Sequence, residues 1–188
     1  MDRVETVVAV EPDPDMRRVL SAHLPEVVVV DGTGEAIPLA DAAVDAVVAG
    51  QSWHWVDSAR GALEVARVLR PGGVLGLVWN DRDESDPWIR QLTALLREFG
   101  TSPDADYEVS VGPPFGPLER AEVGWVNHVT VDAVTDMVTS RSYVIALAAD
   151  RRAELVARVE ALASDGVDLA TGLVPVRYVT RGYRAVRP

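Results

Sequence analysis

The sequence predicts an α/β fold built from βαβ units around a largely parallel sheet, and three observations carry that prediction. Short valine-rich runs alternate with stretches of helical periodicity, the pattern of strands joined by crossover helices. Several runs are apolar at successive rather than alternate positions, as in strands buried on both faces. Aspartate stands at the cap position of successive helix patterns, as Asp13, Asp57 and Asp86, and proline follows two of them.

The elements follow in order. Residues 6–10 are the first buried strand. Asp13 caps a helix with Pro14 at its first position, running through Met16, Val19 and Leu20 to about His23. Residues 27–30 and 44–49 are the second and third strands. Asp57 caps the next helix, whose apolar face is Ala59, Ala62, Leu63, Ala66 and Leu69. It stops at Arg70-Pro71-Gly72-Gly73, where proline cannot continue it and glycine supplies a left-handed exit. Residues 74–79 are a fourth strand. The helix opening at Asp86-Pro87 carries Trp88, Leu92, Leu95, Leu96 and Phe99 on one face. Residues 100–117 are a loop rich in Gly, Pro, Ser and Asp. Beyond it, residues 123–131 alternate like a strand and residues 132–140 form a short helix. Residues 151–163 form an amphipathic helix with Leu155, Val156, Val159 and Leu162. Residues 174–186 make a final strand in which Gly182 permits a bend or bulge.

Composition narrows the function. A chain of 188 residues suits one domain whose core needs no covalent staples. Without cysteine there is no disulfide, thiolate metal site or cysteine nucleophile, which fits a cytoplasmic protein. No run reaches the roughly 18 apolar residues of a membrane span, and the N-terminus lacks a signal peptide's apolar core. A net charge of −11 argues against nucleic acid or an anionic membrane as partner. Arg177, Arg181, Arg184 and Arg187 make the C-terminus locally basic, read as solvated charge on an edge strand. His23, His54 and His128 have no metal-ligand spacing, so no metal is expected.

Several stretches share the order and spacing of a known family. They are Val8-Ala9-Val10-Glu11-Pro12-Asp13-Pro14-Asp15-Met16, Asp31-Gly32-Thr33-Gly34-Glu35-Ala36-Ile37-Pro38-Leu39 and Val44-Asp45-Ala46-Val47-Val48-Ala49-Gly50-Gln51. Trp53-His54-Trp55-Val56-Asp57 and Glu64-Val65-Ala66-Arg67-Val68-Leu69-Arg70-Pro71-Gly72-Gly73 follow, and Tyr178-Val179-Thr180-Arg181-Gly182-Tyr183-Arg184-Ala185 resembles the closing strand. Together they resemble the small-molecule, type 11 branch of class I S-adenosylmethionine-dependent methyltransferases. The Trp-His-Trp stretch is most similar to enzymes that methylate small acids such as aconitate. The resemblance implies a Rossmann-like methyltransferase fold with a mostly parallel sheet and an antiparallel C-terminal strand. It also implies one N-terminally truncated domain over residues 1–188, because the first strand, its helix and the glycine-rich turn of the family have no counterpart.

The resemblance assigns S-adenosylmethionine as cofactor and a set of residues to hold it. Glu11 ends a buried strand, where a carboxylate can accept both ribose hydroxyls; the alternative is a surface acid at a strand end. Met16 would cover one face of the adenine, unless it is a core residue of its helix. Thr33, Gly34 and Glu35 would border the adenine edge, although the family more often has an acid at the first position and alanine at the second. Gly50 and Gln51 follow the next strand, where the family lets the backbone approach the methyl donor. His54 is the candidate catalytic residue, positioning the acceptor or taking its proton; the alternative is a structural histidine in an aromatic cluster. For an acidic acceptor, Arg82, Arg141 and Tyr143 are candidate clamps.

In the family's sheet order the missing strand is central, flanked by residues 6–10 and 44–49. Its absence predicts one of three outcomes: those two strands close up against each other, a second chain fills the gap, or the recorded start lies downstream of the true one. The expected arrangement for this chain is residues 6–10 beside 44–49. The leading function is methyl transfer to a small organic acceptor, with a carboxylic acid the foremost class and the cofactor site incomplete. The alternative is a non-catalytic remnant that associates through its open edge. A nicotinamide-dependent oxidoreductase would also use an acid after the second strand, but the stretches after Gly32 match methyltransferases instead.

Overall fold

The computed structural model describes residues 4–100 and 109–188. The chain forms two compact units, Met1–Trp79 with Glu108–Ala121 and Gly182–Pro188, and Asn80–Tyr107 with Glu122–Arg181.

In the first unit, β1 (Val8–Val10) leads into α1 (Pro14–His23), then β2 (Val28–Val30) and β3 (Val44–Gly50). A single 3-10 turn at Trp53–Trp55 precedes α2 (Ser58–Val68), and β4 (Leu69–Arg82) follows. The second unit holds α3 (Pro87–Glu98), α4 (Val131–Thr139), the short α5 (Ser142–Ile145) and α6 (Ala149–Asp165). β5 (Glu119–Val129) and β6 (Val174–Val186), like β4, contribute residues to both units.

The three aspartate caps form as read from the sequence. Asp13 Oδ1 accepts from the amides of Asp15 and Met16, Asp57 Oδ1 from Ala59 and Arg60, and Asp86 Oδ1 from Trp88 and Ile89. Each such cap contributes about 1 kcal/mol. In α2 the buried face is Gly61, Ala62, Val65, Ala66 and Val68, while Leu63, expected on it, is 62% exposed.

The strands pair as a β1–β2 ladder and a second sheet in the order β3-β4-β6-β5. β1 and β2 are parallel, with Val8 opposite Val28 and Val10 opposite Val30. β3 and β4 are also parallel, with Val47 opposite Leu75 and Gly50 opposite Val78. β6 runs antiparallel to β4, because Gly72 bonds to Arg187 and Asp83 to Arg177. This is the mixed α/β fold the sequence implied.

Three expectations need correction. Residues 6–10 do not move beside 44–49: β1 bonds only to β2 and β3 only to β4 among the described residues. The connecting segments hold them, since Arg17 of α1 donates both to the Glu11 carbonyl and to Asp31 Oδ1, and the loop after β2 is fastened to α2. Second, Pro71-Gly72-Gly73 is not an exit turn before a short strand but an irregularity inside β4. Val44 pairs with Leu69 and Ala46 with Val74, and Gly72, at φ +78°, donates its N–H to the Arg187 carbonyl. Third, β6 is an interior strand, so its arginines are not edge charges. Arg181 bonds to Glu122 and Asp81, Arg184 to Glu119, Arg177 to Asp86, and Arg187 to the Leu69 carbonyl.

Each unit has its own core. In the first, Trp53, Ala62, Val65, Val68, Leu75 and Leu77 are buried together. Phe115 joins them from the segment expected to be a loop, and the Ser110 carbonyl accepts from Trp53 Nε1 at 3.2 Å. Residues 101–108 of that loop lie outside the described residues. In the second unit α3, α4 and α6 close on β6 through Ile89, Leu92, Val134, Val138, Leu155 and Val176.

Candidate nucleoside site

The predicted cofactor residues all belong to the first unit, on the segments after β1, β2 and β3. Glu11 follows β1, and its amide bonds to the Val30 carbonyl of β2. One carboxylate oxygen, Oε1, accepts from the Asp13 amide at 2.9 Å, which fixes the rotamer. The other has no protein partner among the described residues. Arg17 takes the Glu11 carbonyl rather than the carboxylate.

The segment after β2 makes a tight turn in which Thr33 and Ala36 exchange both backbone bonds at 3.2 Å. Gly32 lets this turn lie against β1. A Cβ there would stand 2.9 Å from Val10 Cγ1 and 2.7 Å from Pro38 Cδ. The turn therefore starts against Val10, the residue before Glu11. The Thr33 hydroxyl accepts from the Glu35 amide at 3.3 Å. The Glu35 carboxylate accepts from the Asp57 amide at 2.7 Å, which holds its pKa below the ordinary carboxylate value. Glu35 thus fastens the turn to the start of α2.

Gly34 has a packing reason in addition to the one expected. A Cβ at Gly34 would lie 2.6 Å from Val56 Cγ2, and one at Gly61 would lie 2.3 Å from Val56 Cγ1. The missing methyl groups make room for Val56, which joins the turn after β2, the segment after β3 and α2. Alanine, more usual in the family at position 34, would collide with that side chain. Val56, Gly61 and Arg17 shape the site without having been read from the sequence. Their signal is steric and appears only once the loops are brought together.

After β3, Gly50 has open space where a Cβ would project, with nothing within 4 Å. Gln51 adopts φ +54°, a left-handed conformation that disfavours a side chain by about 1–2 kcal/mol, and its amide is held by the Val78 carbonyl. Met16 is 59% exposed; the core alternative for it is removed, and its side chain is accessible. In the Trp53–Trp55 turn the aromatic residues divide. Trp53 is buried and Trp55 is 82% exposed, while the exposed His54 ring lies 4.9 Å from that of Trp55 at 45°.

The clamp candidates belong to the second unit. Arg82 is the half-buried last residue of β4, and Tyr143 packs against the second unit's core. The Arg141 carbonyl receives the amides of Val144 and Ile145, tying it to α5.

Parallel strands with an acid, a tight turn and an open glycine on successive strand-end loops define a Rossmann-like α/β protein. Comparison with known proteins narrows this. Residues 1–77 match the model of the methyltransferase domain family. An uncharacterized methyltransferase of Mycobacterium tuberculosis is 47% identical over 187 residues, spanning 98% of this chain and 76% of that protein. An uncharacterized methyltransferase-like protein of Schizosaccharomyces pombe is 31% identical over 162 residues, 84% of this chain and 63% of that one. Among solved structures, a protein proposed to be a type II methyltransferase from Anaeromyxobacter dehalogenans superposes with a TM-score of 0.65. It covers 98% of this chain and 81% of that one at 23% identity, a likeness of fold. The chain belongs to the class I S-adenosylmethionine-dependent methyltransferase family and is a methyltransferase. Nothing in these similarities supports a non-catalytic remnant.

Proposed function

We propose that this chain transfers a methyl group from S-adenosylmethionine to a small organic acceptor, with carboxylic acids the foremost class and the cytoplasm its place of action. The observation that carries the reading is the Glu11 oxygen that has no partner among the described residues, at the end of β1. A carboxylate with one oxygen fixed by the Asp13 amide and the other without a partner among the described residues suits the paired hydroxyls of a ribose.

The residues present fit a nucleoside. Glu11 would take the ribose, and the accessible Met16 would cover an adenine face. Thr33 and the backbone of Gly34 would meet the adenine edge, while Glu35 acts through its bond to Asp57. The open space at Gly50 would admit the sulfonium end, with Gln51 beside it. When bound, the cofactor supplies a methyl carbon already activated by positive sulfur. The protein's part is alignment and exclusion of water. A carboxylate acceptor needs no base, which leaves His54 to orient the acceptor from the Trp53–Trp55 turn.

Titration calorimetry with S-adenosylhomocysteine tests the site. Glu11→Ala is expected to weaken binding about 10- to 100-fold, the value of charged hydrogen bonds to hydroxyls. Unchanged affinity in that variant would remove the site from Glu11. Methyl release from labelled cofactor across a panel of small carboxylic acids tests the acceptor class, and turnover confined to amines would exclude it.

A homodimer through an exposed sheet edge is the assembly we propose. Two observations favour it: β1 and β3 each bond a strand on one side only among the described residues, and Val48 in the middle of β3 is 69% exposed. Parallel strands are normally covered on both faces. Light scattering should report a dimer that Val48→Lys dissociates; a monomer at all concentrations would refute the pairing.

A further inference from the structure

The stretch Glu64-Val65-Ala66-Arg67 helped to place the chain in its family, yet none of its residues reaches the nucleoside site. The geometry points to Glu64 and Arg67 as positioning residues that set where the 33–36 turn stands, and hence how the adenine edge is read. This inference rests on the function proposed above and adds to it a named pair and the property it controls.

The argument starts from the guanidinium, which has five N–H donors in one plane. Arg67 uses all of them. Nε donates to Glu64 Oε2 and Nη2 to Glu64 Oε1, both at 2.8 Å, a bidentate pair that fixes the plane of the group. The other three donors reach the segment immediately after the turn. Nη2 donates to the Ile37 carbonyl at 2.9 Å, and Nη1 donates to the Leu39 carbonyl at 2.8 Å and to Asp41 Oδ1 at 2.7 Å. Glu64 Oε1 also accepts from the Ile37 amide at 2.7 Å. Both backbone groups of Ile37 are therefore held by one side-chain pair on α2, one residue beyond Ala36.

The far side of the turn is held as well. Glu35 accepts from the Asp57 amide at the start of the same helix. α2 thus grips the loop at both ends, with Thr33 exposed and Gly34 half-buried beside the grip. Hydrogen bonds from Arg67 hold the Glu64 carboxylate below its ordinary pKa, and Glu64 and Asp41 raise that of Arg67, so the pair stays ionised around neutrality. Partly exposed ion pairs contribute little to global stability. Four bonds from the pair directed at one short segment do something else: they select its conformation. A lysine would keep the charge but has three donors on a flexible stem and cannot reproduce the planar fork.

The test uses the full 188-residue chain, its Arg67→Lys variant and its Glu64→Gln variant. Each is titrated with S-adenosylhomocysteine and with the analogue carrying hypoxanthine in place of adenine, and amide hydrogen exchange is followed at residues 33–39. The wild type is expected to prefer adenine. Arg67→Lys should lower that preference about 10-fold, the weight of one hydrogen bond to the base edge. The Ala36 and Ile37 amides should exchange at least about 10-fold faster while those of β3 and α2 are unchanged. Glu64→Gln should do the same in lesser degree. Equal weakening for both nucleosides, or unchanged exchange at Ala36 and Ile37, would overturn the positioning role. A wild type that binds neither nucleoside would refute the proposed function, and the exchange rates would then decide on the positioning separately.

Discussion

The contact most open to a quantitative test is Val56, wedged beside two glycines. Gly61 sits inside α2, where alanine would ordinarily be favoured by about 1 kcal/mol. Here its Cβ would lie 2.3 Å from Val56 Cγ1 and 3.2 Å from Trp53 Cη2. The first distance is more than about 1 Å short of an ordinary carbon contact. Forcing a methyl group into such a place costs about 1–3 kcal/mol, so Gly61→Ala should be a net loss of about 1–2 kcal/mol despite its better helix propensity. Val56→Ala removes both obstructing methyl groups of a half-buried side chain at a cost of about 1 kcal/mol. In that background Gly61→Ala should change sign and become stabilising by about 0.5–1 kcal/mol, limited by the remaining Trp53 contact. The coupling between the two sites is then about 1.5–3 kcal/mol, large for any pair not joined by a charge. Urea denaturation of the four proteins measures it, and thermal midpoints should move about 2–4 °C per kcal/mol in a chain of this size. A Gly61→Ala variant that is stabilised while Val56 is present, or a coupling below about 0.5 kcal/mol, would refute the packing argument.

Acid should loosen the loop grip first. Glu35 and Glu64 are both held below their ordinary value of 4.5 by bonds made only in the folded chain, so their stabilisation is complete above that value and is lost as pH falls through their lower folded values. Thermal midpoints should therefore drop below about pH 4.5 with a shallower slope in the Glu35→Gln/Glu64→Gln double variant; parallel slopes would contradict it. Gln51→Gly relieves the left-handed backbone at φ +54° and should raise the midpoint by about 2–4 °C, and a lower midpoint would mean the glutamine side chain holds the loop. Phe115→Ala should cost about 3–5 kcal/mol because the ring is only 7% exposed within the first unit's core; a loss under about 1 kcal/mol would show that the segment does not contribute to that core.

Local chemistry made most of the elements readable in advance. Each aspartate cap could be recognised because a carboxylate two or three residues before free helix amides satisfies them wherever the helix then packs. The apolar runs marked β1, β2 and β3 as parallel strands, but the double-sided burial expected of them is absent: none of their residues is fully buried, and Val28 and Val48 are exposed. Glu11, the 33–35 turn and Gly50-Gln51 could be proposed as one site for a similar reason: parallel strands deliver their following loops to one edge. What failed depended on partners distant in sequence. Phe115 belongs to a segment without periodicity, so nothing local marks it as core. Leu63 has the spacing of a buried residue, but α2 turns its glycine and alanine face inward to admit Val56.

Order and type of element, helix starts, the acid at the end of β1 and membership of the methyltransferase family were fixed by residues close together in the chain, where backbone geometry leaves few alternatives. Which strands bond to which was not, because a hydrogen-bond ladder is the same for any two extended segments and is decided by what holds their ends. Here Arg17 ties α1 to the end of β2, Val56 and the Glu64–Arg67 fork fasten the segment after β2 to α2, and β1 pairs with β2. The reasons for Gly34, Gly61 and Arg67 likewise lie in contacts between loops that folding alone brings within a few ångströms of each other.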